Sequence, residues 1–288
     1  MTERKYYSCL LLVVLSGLLV FFGYSKTLTA QETSVYRFGV FPHMSPLRIE
    51  RKYAPVALAF GKRLKKTVKL STATGMDKFR DRVMKGAFDI ALIPPLDIVP
   101  IVDEGGYIPL ARRKSTPASI VVTEDSLIKK VADLQDKTLG LPDGTPVNII
   151  LQLTLNDQGF VGSNAINFKL FNNVQACLHK LLLKSVDACG SASGTAIKMF
   201  QNKMNVKFRE IMQTEAFPHM LFVAHPRLSS AERQTLAQLI LGQDTVETGQ
   251  NTIQAPGKYT DYIAYKSTDY DVIRQYRQRW VKHATNTP

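Results

Sequence analysis

Met84-Lys85-Gly86-Ala87-Phe88-Asp89-Ile90-Ala91 and, later in the chain, Leu183-Lys184-Ser185-Val186-Asp187-Ala188-Cys189 follow one grammar. In each, a predicted helix ends in Lys and a small residue, and an aspartate sits near the start of an apolar strand. The strand then delivers the chain to a turn and a new helix. Phe88-Asp89-Ile90-Ala91-Leu92-Ile93 is almost wholly apolar, as suits a strand covered on both faces of a parallel sheet. Upstream, a strand is predicted over 35–41, bounded by Pro42 and Pro46. Tyr53, Val56, Phe60 and Leu64 then recur at helical spacing within 48–65, and a strand over 68–71 and a helix over 77–85 follow. After Pro94-Pro95 come a helix over 96–104 and strands over 108–111 and 119–122. The theme then restarts, with strands over 137–141, 168–171, 186–189, 206–211 and 221–224. Helices are expected over 147–158, 174–183, 195–201, 229–241 and 269–282, the last two separated by a polar, loop-like stretch. Repeated strand–helix–strand units predict parallel sheets covered by helices, arranged as two lobes of similar construction.

The composition fits this reading. Of 288 residues, 45% are hydrophobic and 21% charged, the balance of a globular chain with a sizeable core. Three cysteines cannot build a disulfide scaffold or a four-cysteine zinc site. A net charge of +13 favours anionic ligands or an anionic membrane surface. The charge is dispersed and no aromatic-basic motif accompanies it, which disfavours nucleic acid. Arg4 and Lys5 precede the apolar run from Cys9 to Tyr24, and a small residue stands at Ala30, so residues 1–30 read as a secretory signal peptide. The alternative is an uncleaved anchor, because the run approaches the ~20 residues that span a bilayer. Either way the remainder is exported. In an oxidising compartment Cys177, on a predicted helix, and Cys189, on the following strand, can pair as a disulfide. Two small buried thiols are the alternative.

Phe38-Gly39-Val40-Phe41-Pro42, Gly86-x-Phe88-Asp89-Ile90-Ala91 and Gly106-Tyr107-x-Pro109-Leu110-Ala111 are followed by Ser119-Ile120-Val121-Val122 and Asp133-Leu134-x-x-Lys137-Thr138. Asp187-Ala188 and Pro218-His219 complete the series. In this order and spacing the chain, over residues 35–224, resembles the phosphate/phosphite/phosphonate-type substrate-binding proteins of ABC importers. The resemblance implies an α/β fold: the two-lobe type II periplasmic-binding-protein fold, with two crossover hinge strands and closure on a small ligand. Lobe one would comprise 34–120 plus 222–288 and lobe two 121–221, with hinges near Val122-Thr123 and Leu221–Val223. The ligand would lie between the lobes, at the carboxyl ends of strands where helix N-termini point. That places the candidate ligand-binding residues His43, Met44, Ser45, Thr74 and Pro95 on lobe one, and Gly144, Thr145, Asn173, Ser191 and Ser193 on lobe two. His219 lies beside a crossover.

The chain departs from the family pattern in the loops that choose the ligand. Gly144-Thr145-Pro146-Val147 stands where phosphonate binders carry a Ser-Thr-Ser-Gly-type cradle. It keeps one hydroxyl and loses the amide of Pro146. Val174-Gln175 falls where the family has a His-Glu pair, and Met220 where an Asp is expected. The resemblance therefore implies the fold more firmly than it implies a phosphonate.

Other residues have ordinary roles to weigh. His43 can donate to an anion or lie in a solvated loop. Thr74 and Thr145 precede helices and can serve as N-caps. Asp89 and Asp187, at matching places in two strands, suggest a repeated structural role, orienting the preceding turn. Ile273, Tyr276 and Trp280 form a core-facing stripe on the last helix. Arg274, Arg277, Arg279 and Lys282 fill its other face, read as solvated. The expected function is a periplasmic, monomeric solute receptor that needs no cofactor. It would capture a small, anionic molecule and present it to an ABC permease or a membrane sensor. The alternatives are an exported enzyme using Asp89 or Asp187 on the same scaffold, and a membrane-tethered sensory domain. The chain carries no Gly-x-Ser-x-Gly elbow, His-Glu-x-x-His helix or Walker loop.

Overall fold

Two β-sheets built on one plan carry the chain in a computed structural model, which describes residues 35–161, 165–191, 194–243, 246–248, 251–253 and 261–286. The expected leader over 1–30 and the candidate Ser193 lie outside the described residues. The first sheet begins with β1 (Tyr36–Val40), α1 (Pro46–Leu64), β2 (Val68–Ser71), α2 (Met76–Met84) and β3 (Ile90–Ile93). A 3-10 turn at Pro95–Asp97 and a π-helical turn at Val99–Glu104 lead to β4 (Ile108–Arg113). The regular helix expected over 96–104 is thus broken up. Pro95 and Pro100 each remove an amide donor that a continuous helix would use.

The chain then enters the second sheet through β5 (Ser119–Thr123), β6 (Thr138–Pro142), α3 (Pro146–Asp157), β7 (Asn167–Phe171), α4 (Val174–Leu182), β8 (Ala188–Ser191), α5 (Gly194–Met204) and β9 (Phe208–Gln213). It returns through β10 (Leu221–Ala224) and α6 (Ser230–Ile240). After the short β11 (Val246–Thr248) and β12 (Asn251–Ile253), it ends in β13 (Tyr262–Ala264) and α7 (Asp271–Asn286). No helix among the described residues is long and apolar enough to cross a membrane.

The first sheet has the order β13-β4-β10-β3-β1-β2 and the second β7-β6-β8-β5-β9. Each is parallel over three strands and then turns antiparallel, at β10 and at β5 respectively. The expectation of parallel sheets therefore holds for half of each sheet only. The stretch read as loop-like before the last helix contains β13, which pairs antiparallel with β4. Its Tyr262-Ile263-Ala264 is too short for period-two patterning to register. The changes of sheet fall between β4 and β5 and between β9 and β10, where Thr116 and Phe217 form an isolated antiparallel bridge. Val122-Thr123 and Leu221–Val223, expected as hinges, instead sit inside paired strands.

The repeated aspartates have a matched role. Asp89 Oδ2 accepts the Arg37 amide at 2.7 Å, and the Asp89 amide donates to the Arg37 carbonyl at 2.9 Å. Asp187 Oδ2 accepts the Thr138 amide at 2.8 Å, and its own amide donates to the Thr138 carbonyl at 2.9 Å. Each carboxylate adds one rung between a first strand and its central neighbour. This differs from the turn-orienting role expected, and neither residue lines a cavity between the lobes. Asp89 is buried and also pairs with Arg227, whereas Asp187 is exposed.

Cys177 on α4 and Cys189 on β8 are joined as a disulfide, with Cα atoms 6.0 Å apart. Gly140, the β6 partner of Cys189, makes room for it: a Cβ there would meet Cys177 Sγ at 2.6 Å. On the last helix, Ile273 is fully buried as expected. The opposite face is not simply solvated. Arg274 forms a two-bond pair with Asp103, and Arg279 pairs with Asp157 of α3.

Two stability outcomes follow. Replacing Asp89 by Ala leaves a strand-edge amide without its acceptor in a dry setting and costs about 1–3 kcal/mol. Asp187→Ala, where water substitutes, costs clearly less; equal shifts in denaturant midpoint would refute the distinction. Replacing both Cys177 and Cys189 by Ala frees a short loop, of sequence separation 12, in the unfolded chain. The expected loss is about 2–3 kcal/mol, read as a lower melting temperature than that of the oxidised wild type.

Candidate functional site

In both lobes the parallel strands end at the same cleft. The loops after β1, β3, β6 and β7, the end of β8 and the crossover before β10 line a cavity of about 500 Å³. Its walls include Pro42 to Ser45 and Pro95 from lobe one, and Gly144, Thr145, Asn173 and Ser191 from lobe two. Phe217, His219 and Met220 come from the crossover. Among the described lining residues the only formal charge is Asp143. The described lining includes no Lys or Arg, although the chain is strongly basic.

Helix ends supply the positive potential instead. Ser45 and Thr145 are the N-cap positions of α1 and α3; each is followed by a proline at the first turn, and neither side chain caps its helix. The Thr145 hydroxyl donates to the Pro142 carbonyl at 2.7 Å, which fixes the turn rather than the helix end. Gly144 takes a φ of +62°, left-handed backbone that glycine adopts without a Cβ penalty. On α4 the Asn173 side chain accepts the Ala176 amide at 2.9 Å, so Asn173 is a true cap and still lines the cavity. Helices α1, α3 and α4 thus direct the positive ends of their dipoles to one region, from both lobes.

The two histidines are neutral walls. His43 Nδ1 lies 2.9 Å from the Phe41 carbonyl, which can only accept, so Nδ1 carries the proton. Nε2 then accepts from the Tyr53 hydroxyl at 3.3 Å, and the ring stacks on Phe41 with centroids 4.4 Å apart. Burial lowers its pKa to about 4, helped by the charges of Lys52, Arg113 and Arg48 and opposed by the Phe41 hydrogen bond. His219 stacks on Phe217 and contacts the Thr116 hydroxyl through Nε2. Burial and then Arg113 lower its pKa to about 4 as well, against the pull of Asp261.

Most of the sequence-predicted candidates meet here: His43, Met44, Ser45, Pro95, Gly144, Thr145, Asn173, Ser191 and His219 all line the cavity. Thr74 does not. It is exposed and is not the N-cap of α2, a position held by Gly75; Met76 reaches the cleft in its place. Val174, Gln175 and Met220, standing where the family pattern has charged residues, do line the cavity, so the substitutions fall on its surface. Phe217 was not singled out from sequence; its place on a crossover was the available signal.

A second compartment of about 610 Å³ adjoins the first, sharing Met76, Pro94, Asp143, Gly144, Thr145 and Asn172 with it. Its outer wall is Trp280 of α7, with Asp77, Arg80 and Asp97 below. Asp97 is 1% exposed and accepts from Arg80 Nε at 2.7 Å. Burial raises its pKa, opposed by Arg80 and Arg277.

The neutral histidines make stability fall in acid. The folded pKa values of about 4 lie below the unfolded 6.5, so the unfolded chain takes up the protons first. Their contribution is intact above about pH 6.5 and is lost as pH falls towards 4. Denaturant midpoints measured across that window should drop, and the His43→Gln, His219→Gln double variant should flatten the drop. An unchanged slope would refute the assignment.

The family profile described as ABC transporter, phosphonate, periplasmic substrate-binding protein matches residues 38–270. No curated protein matches the sequence. Among solved structures, the PhnD1 protein of Prochlorococcus marinus in complex with methylphosphonate is similar, with TM-score 0.72 and 13% identity over 86% of this chain and 98% of that one. A Xanthomonas citri protein bound to ATP reaches 0.68 at 14% identity, covering 87% and 99%. A binding protein component of a Pseudomonas aeruginosa ABC phosphonate transporter reaches 0.65 at 16%, covering 89% and 90%. Identities this low speak for the fold: two lobes of the type II periplasmic-binding-protein kind. With the profile spanning most of the described chain, this protein belongs to the periplasmic substrate-binding family of phosphonate ABC transporters.

Proposed function

We propose that the chain is a non-catalytic, monomeric binding protein that holds the anionic head of a small molecule in the cleft and presents it to an ABC permease. The observation that carries this reading is the convergence of three helix N-termini on a cavity of about 500 Å³ whose described lining holds no cationic side chain. Such termini favour an anion through fixed backbone dipoles and free amides. His43, Met44, Ser45, Pro95, Gly144, Thr145, Asn173, Ser191 and His219 are the residues assigned to the ligand, and Ser193 is retained from the sequence. Residues 1–30 act as the export leader, supported by Arg4 and Lys5 ahead of the apolar run. The enzyme alternative loses its candidates, since Asp89 and Asp187 are engaged in strand rungs away from the cleft.

Thr145→Asp separates the grip from the fold. A carboxylate at the start of α3 suits the helix dipole and is a good N-cap, so stability should stay within about 1 kcal/mol of wild type. The same charge repels an anion, and affinity for methylphosphonate or inorganic phosphate should fall by about tenfold or more. Calorimetric titration with both ions reads this directly. Binding undiminished in Thr145→Asp would sink the anion site.

A further inference from the structure

Beyond the anion site lies a compartment that a phosphate or phosphonate head alone does not fill. At about 610 Å³ it is comparable in size to the inner cavity, and the two adjoin at Met76, Pro94, Asp143, Gly144, Thr145 and Asn172, which line both. A molecule whose head rests on the start of α3 is therefore already at the entrance to the outer space. The chemistry of the two spaces differs. Among its described lining residues the inner cavity offers helix ends and neutral side chains, with Asp143, at its boundary with the outer space, as the one charge. The outer one offers a half-buried indole, Trp280, together with Asp77, Asp97 and Asp143 against a single cation, Arg80. Arg80 is itself committed to Asp97 at 2.7 Å and to Asp77 at 3.0 Å.

This asymmetry states what the outer space accepts. With three carboxylates to one engaged guanidinium, a second anionic group would meet like charge. An uncharged group bearing hydrogen-bond donors meets acceptors. A flat ring meets the indole, an aromatic surface of the kind on which bases stack in single-stranded nucleic-acid binders. We infer that the ligand is bipartite: an anionic head at the helix ends, and a flat, uncharged, donor-bearing ring against Trp280. A nucleoside monophosphate has this layout. This inference rests on the anion reading above and adds the substrate class to it.

Trp280 is the only tryptophan of the chain, so its fluorescence reports this compartment alone. The test compares methylphosphonate, a head without a ring, with adenosine monophosphate, by calorimetric titration of the full mature chain and by fluorescence. Adenosine monophosphate should bind about tenfold or more tighter than methylphosphonate and quench Trp280. Trp280→Ala should remove most of that advantage and Trp280→Phe should keep it, both leaving methylphosphonate affinity as in wild type. Equal affinities for the two probes in the wild type would overturn the ring subsite while leaving the anion reading standing. So would a Trp280→Ala variant that weakens both ligands alike. If neither probe binds the wild type, the anion reading falls and the bipartite ligand falls with it.

Discussion

Each sheet is completed by one antiparallel strand that has just arrived from the other lobe. β10 comes back from lobe two and lies between β3 and β4; β5 comes from lobe one and lies between β8 and β9. All four residues of β10, Leu221-Phe222-Val223-Ala224, are buried, and Phe222 packs on Phe38 and Phe60. Neither lobe can therefore be finished without the other. The chain passes between them at two short crossovers that meet at Thr116 and Phe217, and Arg279 of α7 also reaches Asp157 of α3. A joint of this kind leaves few backbone dihedrals to change when the lobes move, the ordinary basis of hinge closure. It also carries His219 and Met220 to the wall of the cleft cavity.

The electrostatics of the cleft follow from the same topology. In each lobe the parallel strands run β2-β1-β3 and β7-β6-β8, so their carboxyl ends, and the helix N-termini that follow them, face one side. The field that results is part of the backbone. It needs no lysine or arginine to be stripped of water on closing, a cost that a buried ion pair incurs. Burial holds His43 and His219 neutral and so leaves that field undisturbed at neutral pH. The basic surface acts at another range. The net charge of +13 favours anions at long range, whereas the described lining of the inner cavity carries no lysine or arginine.

The lobes were legible because the same constraint had been written twice. The aspartates of Phe88-Asp89-Ile90 and Val186-Asp187-Ala188 stand out as polar residues in strands that are otherwise apolar. The loops facing the cleft followed from strand order alone, which is why His43, Thr145 and Asn173 were found. Thr74 falls short of the helix end by one residue, because α2 takes Gly75 as its N-cap position. Pairings made at long range left no local trace. Nothing near Arg274 announces Asp103, and nothing near Arg279 announces Asp157. The apolar spacing on α7 predicts one core face, yet Ile273 enters the core while Trp280, two turns on, lines the outer compartment.

That helix binds the two lobes unequally. Arg274 holds Asp103 by two parallel hydrogen bonds of 2.8 Å, with side chains only 24% and 32% exposed. Arg279 meets Asp157 by a single bond, with side chains 44% and 57% exposed. Bidentate, partly shielded pairs retain most of their strength, whereas exposed single pairs are worth about 0–1 kcal/mol and weaken with salt. Ile273, fully buried, adds apolar anchoring on the first side. Of its two ion pairs, α7 is thus held more firmly by Asp103 than by Asp157. Trp280 follows Arg279 on this helix and lines the outer compartment together with Asn148 and Ile149 of α3. A ring seated there would touch both lobes, and its stacking energy would add to the free energy of closure as well as to that of binding.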